Sequence, residues 1–385
     1  MSIEIPEQAK LLSALLNNMG LAARKSAPAT SVAVLRRAFN LNPFDLAARI
    51  NLAALLTDAG ADDDAQKLVA PLIEHGKVDS AWQIMGVVNT HRGRLDEAVA
   101  CFARAHEISP NNGQRIFDLA AAHLRAGDFD RGLPLYEHRA LVLPRSGPQP
   151  NAPRWSGEET GHLAVCGDQG YGDRIMFARF LPWARERCEK ITFFTDPNTV
   201  VLLSGYETVC TVSSNLDPEV KFDHQLGLAS LPLLYGLTVD NIPPDPGLLA
   251  VAAATDALAS EGLKIGICWS GNPDHPNDNL RTMAFEDLLP LAGDPRNDLY
   301  SLQCGPQAAD VARARAQRIV RDMSGIVEGE WAHTAALIKN LDLVITIDTA
   351  VAHLAGALGV RTFLMLPVFS DWRWLWGRDD SPWYP

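Results

Sequence analysis

The chain has 385 residues, more than one hydrophobic core usually covers, and its 47% hydrophobic and 21% charged content is that of a globular protein. Its 34 Lys and Arg against 46 Asp and Glu leave a net charge of −12. That balance excludes the basic excess on which nucleic-acid and anionic-membrane binders depend. No run approaches the roughly 18 apolar residues of a membrane span. The opening "MSIEIPEQAK" has no basic stretch followed by an apolar one, so no secretory signal is expected. The six cysteines form no C-x-x-C unit, so neither zinc nor a disulfide framework is expected. The expected compartment is the cytoplasm.

Residues 1–145 are rich in Ala and Leu at helical spacing, and they repeat. Gly60, Gly93 and Gly127 stand 33 and 34 residues apart, and Pro110 and Pro144 stand 34 apart, with Pro43 in phase. A period near 34 marks a helix-turn-helix solenoid. In residues 79–112, Trp82, Met85, Gly86, Gly93, Ala98, Phe102, Ala105 and Pro110 fall at tetratricopeptide-repeat (TPR) positions. The next repeat keeps Leu119, Ala120, Gly127, Tyr136 and Pro144; the preceding one keeps Leu52, Ala53, Gly60 and Ala65. Small residues such as Gly86 and Ala98 let paired helices approach. The acidic runs at 62–64 and 128–130 lie on repeat turns and read as solvated turns, not metal motifs.

Residues 146–160 are a Pro-rich linker. Beyond them "HLAVCG", "KITFFT", "KIGICWSG", "DLYSLQCG" and "LDLVITID" read as strands, separated by amphipathic stretches at 174–188, 284–292 and 332–340. Strand, turn and helix in repetition mean a parallel α/β fold. The Pro-rich 241–247 splits it into lobes 161–250 and 251–385. The predicted class is therefore an α-solenoid followed by two Rossmann-like α/β lobes.

Three strand ends carry candidate chemistry. In "GDQGYGDRIMFARFL" (167–181), Asp173 either caps the next helix or projects into the cleft between lobes as a general base. The glycines there make no G-x-G-x-x-G fingerprint, which removes a nicotinamide enzyme from consideration. In "KIGICWSGNPDHPNDNLRTMAF" (264–285), Ser270, the Gly271 amide and Arg281 suit a phosphate, or else form a solvated loop. In "LVITIDTAVAHLAGALG" (343–359), Asp348-Thr349 offers N-cap chemistry to a slim helix that starts at Ala350. Its amides favour an anion, and His353, one turn in, either donates to a phosphate or sits as a core residue.

The motifs "DQGYGDRIMFARF", "KIGICWSGNP", "LRTMAF" and "HTAALIKNLDLVITIDTAVAHLAGALG", with "FDHQLGLASLPLLYG" and "DWRWLWGRDDSPWYP", cover the chain from about Trp155 to Pro385. In these the chain resembles bacterial glycosyltransferases of the heptosyltransferase-like branch of the GT-B fold, in their TPR-fused version. Repeats joined to a GT-B half are also similar in architecture to protein O-GlcNAc transferases. The resemblance implies an inverting, metal-independent glycosyltransferase with no cofactor beyond its nucleotide-sugar donor. Asp173 would be the base. Ser270, Gly271, Arg281, Asp348, Thr349, Ala350 and His353 would hold the donor diphosphate, and Gln303 and Thr334 would lie beside the nucleoside. The concave face of the TPR array would recruit a protein acceptor such as flagellin. Asp168 stands where the resembling proteins carry Glu, His333 stands where an acid is common, and the sequence ends at "SPWYP" where they continue. The alternative is a non-catalytic TPR scaffold beside a degenerate GT-B half.

Overall fold

The computed structural model describes residues 5–74, 76–143, 147–253, 258, 261–273, 275 and 278–385. Pro144 and residue 145 at the end of the predicted repeats, the first residue of the predicted linker (146) and part of the loop after Gly271 (274, 276 and 277) lie outside the described residues. They divide into two compact units: Met1–Val142 with Val368–Arg373, and Leu143–Pro367 with Trp374–Pro385.

The first unit is built from helices in consecutive pairs: α1 (Glu7–Ala23), α2 (Pro28–Leu41), α3 (Leu46–Asp58), α4 (Asp62–Glu74), α5 (Asp79–His91), α6 (Leu95–Ile108), α7 (Gly113–Arg125) and α8 (Phe129–Tyr136). The in-phase glycines are required by conformation: Gly60, Gly93 and Gly127 have φ of 72°, 70° and 79° just past α3, α5 and α7. Only glycine enters that left-handed region without a Cβ clash. A second set works by proximity. A Cβ on Gly20, Gly86 or Gly132 would stand 2.6 Å from Leu35, Phe102 or Leu124 on the partner helix.

The acidic turns are paired more fully than the sequence suggests. Asp62 meets His91 Nδ1 at 2.9 Å and Asp63 accepts from Arg92 at 2.5 Å. Asp128 accepts from the Arg131 amide at 3.2 Å, capping α8, and meets His123 Nδ1 at 3.1 Å. The turns stay open to solvent, Asp63 being 86% exposed and Asp130 exposed, while Asp62 and Asp128 also tie neighbouring helices together.

The late segment Val368–Arg373 folds with the repeats. Arg125 donates through Nε to the Ser370 carbonyl at 2.9 Å and lies 4.4 Å above the Phe369 ring. Trp372 sits edge-on between Phe129 and Tyr136, and Arg373 donates to the Tyr136 hydroxyl at 3.3 Å. Burial pushes the Arg125 guanidinium down to about 10, against the opposing charges of Asp371 and Asp118.

The second unit holds two parallel sheets. The first comprises β1 (Thr160–Cys166), β2 (Cys188–Phe194), β3 (Thr211–Ser213) and β4 (His224–Gly227), in the order β3-β2-β1-β4. Between its strands run α9 (Tyr171–Phe177), α10 (Leu181–Arg185) and α11 (Pro197–Leu203), and α12 (Leu231–Tyr235) follows them. The second sheet comprises β5 (Leu263–Cys268), β6 (Asn297–Ser301), β7 (Val320–Asp322), β8 (Leu343–Ile347) and β9 (Thr362–Met365), in the order β7-β6-β5-β8-β9. Its helices are α13 (Asp278–Arg281), α14 (Asp310–Arg313), α15 (Ser324–Val327), α16 (Trp331–Lys339) and α17 (Ala350–Ala357). The predicted amphipathic stretch at 284–292 is instead a 3-10 helix, Phe285–Gly293. Pro290 inside it lacks the N–H that an α-helix needs there. Each sheet reverses strand order beside its first strand, between β1 and β4 and between β5 and β8. At such a reversal the loops leaving the carboxyl ends diverge and leave a crevice where ligands bind.

Candidate functional site

The crevice of the second sheet is formed by the loops after β5 and β8, whose strands pair in parallel from Ile265–Leu343 to Cys268–Thr346. Arg281 spans it: Nη1 donates to the Asp348 carbonyl at 2.7 Å and Nε meets Asp278 Oδ1 at 3.2 Å. Gly271 lies directly beneath, where a Cβ would collide with the guanidinium. The guanidinium is 15% exposed, so one cation remains reachable while its orientation is fixed.

Gln303, at the end of β6, sets the β5 loop. Its side-chain oxygen accepts from the amides of Trp269 and Ser270 at 3.2 and 2.9 Å, and Nε2 donates to the carbonyls of Ser270 and Cys304 at 3.1 and 3.0 Å. All four bonding positions of the amide are spent on protein. Gln303 is a backbone surrogate that holds Ser270 in place. The Ser270 hydroxyl is 3.3 Å from Thr282 Oγ1.

Thr349 occupies the N-cap of α17 with extended backbone, φ −143° and ψ 173°, yet its side chain caps no amide. Its hydroxyl turns to Thr346 Oγ1, 3.3 Å away. The sequence-level expectation that Asp348-Thr349 caps this helix with a side chain is therefore corrected. The β-branched hydroxyl is drawn to its strand neighbour, leaving the Ala350 and Val351 amides without a side-chain cap, while the Ala352 amide turns back to the Thr349 carbonyl at 3.0 Å.

His353 is buried, 4% exposed, in the second turn of α17. Its ring stacks on Trp374 with centroids 4.8 Å apart, and Nδ1 is 3.0 Å from the Tyr384 hydroxyl. Across from it, α9 approaches so closely that a Cβ on Gly172 would stand 2.5 Å from the imidazole. The small residues of α17 serve the same purpose, since a Cβ on Gly356 would stand 2.5 Å from the Tyr384 ring. Burial raises the Tyr384 phenol well above its ordinary value, so it keeps its proton.

Asp173 lies three residues into the turn that opens α9. Its Oδ2 accepts from the Gly170 amide at 3.0 Å, so the capping alternative is realised. Just before it, Gln169 has φ of 65°, a left-handed conformation uncommon outside glycine. Asp168 reaches across the first sheet's crevice and accepts from the Ala229 amide at 3.0 Å.

The structure thus gathers Ser270, Gly271, Arg281, Asp348, Thr349 and Ala350 at one crevice, with Gln303 behind them. His353 and Asp173 lie on α17 and α9, which pack together. Thr334 is buried on α16 and, among the described residues, shares no hydrogen bond with this set. Asp278 and Tyr384 were not anticipated. Asp278 had a signal, an acid three residues before Arg281 on one helical turn. Tyr384 had none, being 31 residues from His353. Burial pushes the Cys268 thiol beneath the crevice up to about 11, so it remains a protonated core group.

No family model matches this chain. Among curated proteins it is similar to Protein FlbA of Caulobacter vibrioides, 23% identical over 413 residues, 89% of this chain and 69% of that protein. Among solved structures, an O-GlcNAc transferase mutant of Thermobaculum terrenum aligns over 93% of this chain and 83% of its own, with 14% identity and a TM-score of 0.36. MamA aligns over 34% of this chain and 73% of its own, with 16% identity and a TM-score of 0.29. A thermophilic TPR protein of Thermus thermophilus aligns over 34% and 74%, with 15% identity and a TM-score of 0.32. Among the described residues no helix is long and apolar enough to cross a membrane. The chain is a set of N-terminal helical repeats followed by a parallel-sheet α/β region.

Proposed function

We propose that the α/β unit is an inverting glycosyltransferase of the heptosyltransferase-like GT-B kind. Its donor is a nucleotide-activated sugar, and its acceptor is a protein hydroxyl recruited by the TPR array. The observation that carries this reading is the hydrogen bond from Arg281 to the Asp348 carbonyl. It fixes a cation beside the uncapped N-terminus of α17 at the strand-order reversal, where a diphosphate meets both a guanidinium and helix amides.

In this reading the acceptor oxygen attacks the anomeric carbon as the bond to the diphosphate oxygen breaks. Asp173 takes the acceptor proton, and the leaving diphosphate keeps the electron pair. Arg281 and the α17 amides supply the positive field for that charge, so added metal is not required and a chelator leaves turnover unchanged. The 3.0 Å contact between the Tyr384 hydroxyl and Nδ1 fixes the orientation of the His353 ring beside that site. Ser270 and Gly271 complete the phosphate shell, and Gln303 and Thr334 shape the nucleoside side.

A second reading, a binding scaffold without transfer, draws on the capping bond of Asp173 and the burial of His353. Thermal denaturation against a panel of nucleotide sugars separates the two, since a ligand that binds only the folded state raises the melting temperature by mass action. A shift with one nucleotide class, followed by sugar transfer, supports the enzyme. A flat panel removes it.

A further inference from the structure

The first helix of the repeat unit is built inside out. Its buried face carries Ser13, Asn17 and Gly20. Ser13 donates to the Ala38 carbonyl at 2.9 Å, Asn17 accepts from Asn51 at 2.9 Å, and Gly20 lies against Leu35. The opposite face carries Leu11, Leu15, Met19 and Leu12, which are 67, 57, 53 and 41% exposed. At helical spacing these four fall within about a 100° arc, the width of a core-facing stripe. A helix in water turns such a stripe inward; α1 turns it outward although α2 and α3 are there to receive it.

We infer that this stripe is covered by α1 of a second copy of the chain, packed antiparallel about a two-fold axis near Leu15. Two features select that occupant. Leu11, Leu15 and Met19 are spaced symmetrically about Leu15, so a reversed copy sets Leu11 against Met19 and Leu15 against itself. Glu7 opens α1 and Lys25 stands in the turn just past its last residue; both are exposed, so the helix carries an acid at one end and a base at the other. Antiparallel two-fold pairing brings Glu7 of each copy to Lys25 of the other, whereas parallel pairing sets like charge against like. Within its own chain Glu7 meets Lys10, 3.2 Å away on the exposed surface, a pair that leaves the carboxylate accessible. One helix pair is smaller than the roughly 800 Å² per partner of a standard interface, which places this dimer among weak, concentration-dependent ones.

Sedimentation velocity on the full chain over roughly 1–100 µM tests this. The expected result is a concentration-dependent dimer that is lost in Leu15→Glu with helicity retained. Glu7→Lys should raise the dimer Kd several-fold, and Glu7→Lys with Lys25→Glu should restore it, a rescue that also works if Leu15→Glu fails to fold. A monomer at every concentration, or a dimer indifferent to both the Leu15 and the charge variants, overturns the inference.

Discussion

The two sheets of the α/β unit reverse strand order at the same position, and each bridges its crevice with a single side chain, but with opposite charge. After β1, the Asp168 carboxylate reaches the Ala229 amide beyond β4. After β5, the Arg281 guanidinium reaches the Asp348 carbonyl beyond β8. One topology therefore offers two crevices, and under the proposed function the charge of one loop residue decides which of them takes the donor phosphate. The first crevice carries Asp168 and Asp173, both accepting from backbone amides, and under the proposed function it is the side where the acceptor proton is removed. Fold supplies the places, and residues choose the chemistry.

Five variants break or sharpen that contrast. Asp173→Asn keeps an acceptor for the Gly170 amide while removing the base, so turnover should fall by about 10²–10⁴ with donor affinity unchanged. Unaltered turnover would return Asp173 to a purely structural cap. Arg281→Ala should weaken nucleotide binding by about 10–100-fold, the range of a hydrogen bond to a charged group, measured calorimetrically. If Asp168→Asn weakens binding as much, the assignment of charge to the two crevices is wrong. Gln303→Ala should lower unfolding free energy by about 1–3 kcal/mol in denaturant titration, because buried amides lose their acceptor. Thr349→Ala should change stability by well under the ~1 kcal/mol of an ordinary N-cap loss, since its side chain caps nothing. A full cap-sized loss would mean that the α17 amides are not available to a ligand.

The repeats were legible because their rules are local. Turn glycines with positive φ and small residues at helix crossings recur with one period, so any repeat predicts the next. The α/β half was legible where a strand is central and apolar, as in β1, β2, β5, β6 and β8. Strands β3, β4, β7 and β9 were missed. They are three or four residues long, and all four lie at sheet edges where one neighbour suffices, so little apolar patterning marks them. The crevice residues could be assigned to strand ends by pattern. Which polar atoms would be spent within the protein could not, because Gln303, Tyr384 and Thr346 settle that through contacts that no spacing announces. The outward stripe of α1 was equally hidden, since periodicity reveals an apolar face but not which way it turns.

The Val368–Arg373 segment changes how the repeats can be made. A solenoid ordinarily completes each repeat from its sequence neighbours and can fold as it leaves the ribosome. Here the contact between Arg125 and Ser370 spans 245 residues, and that between Tyr136 and Arg373 spans 237. The earlier helix pairs can form at once, but the last pair stays unfinished until Arg373 has been synthesised. During that interval Phe129 and Tyr136 lack the ring of Trp372, and Arg125 lacks the carbonyl that satisfies it. The array's final pair is thus completed only after β9 has been made, although it is encoded in the first half.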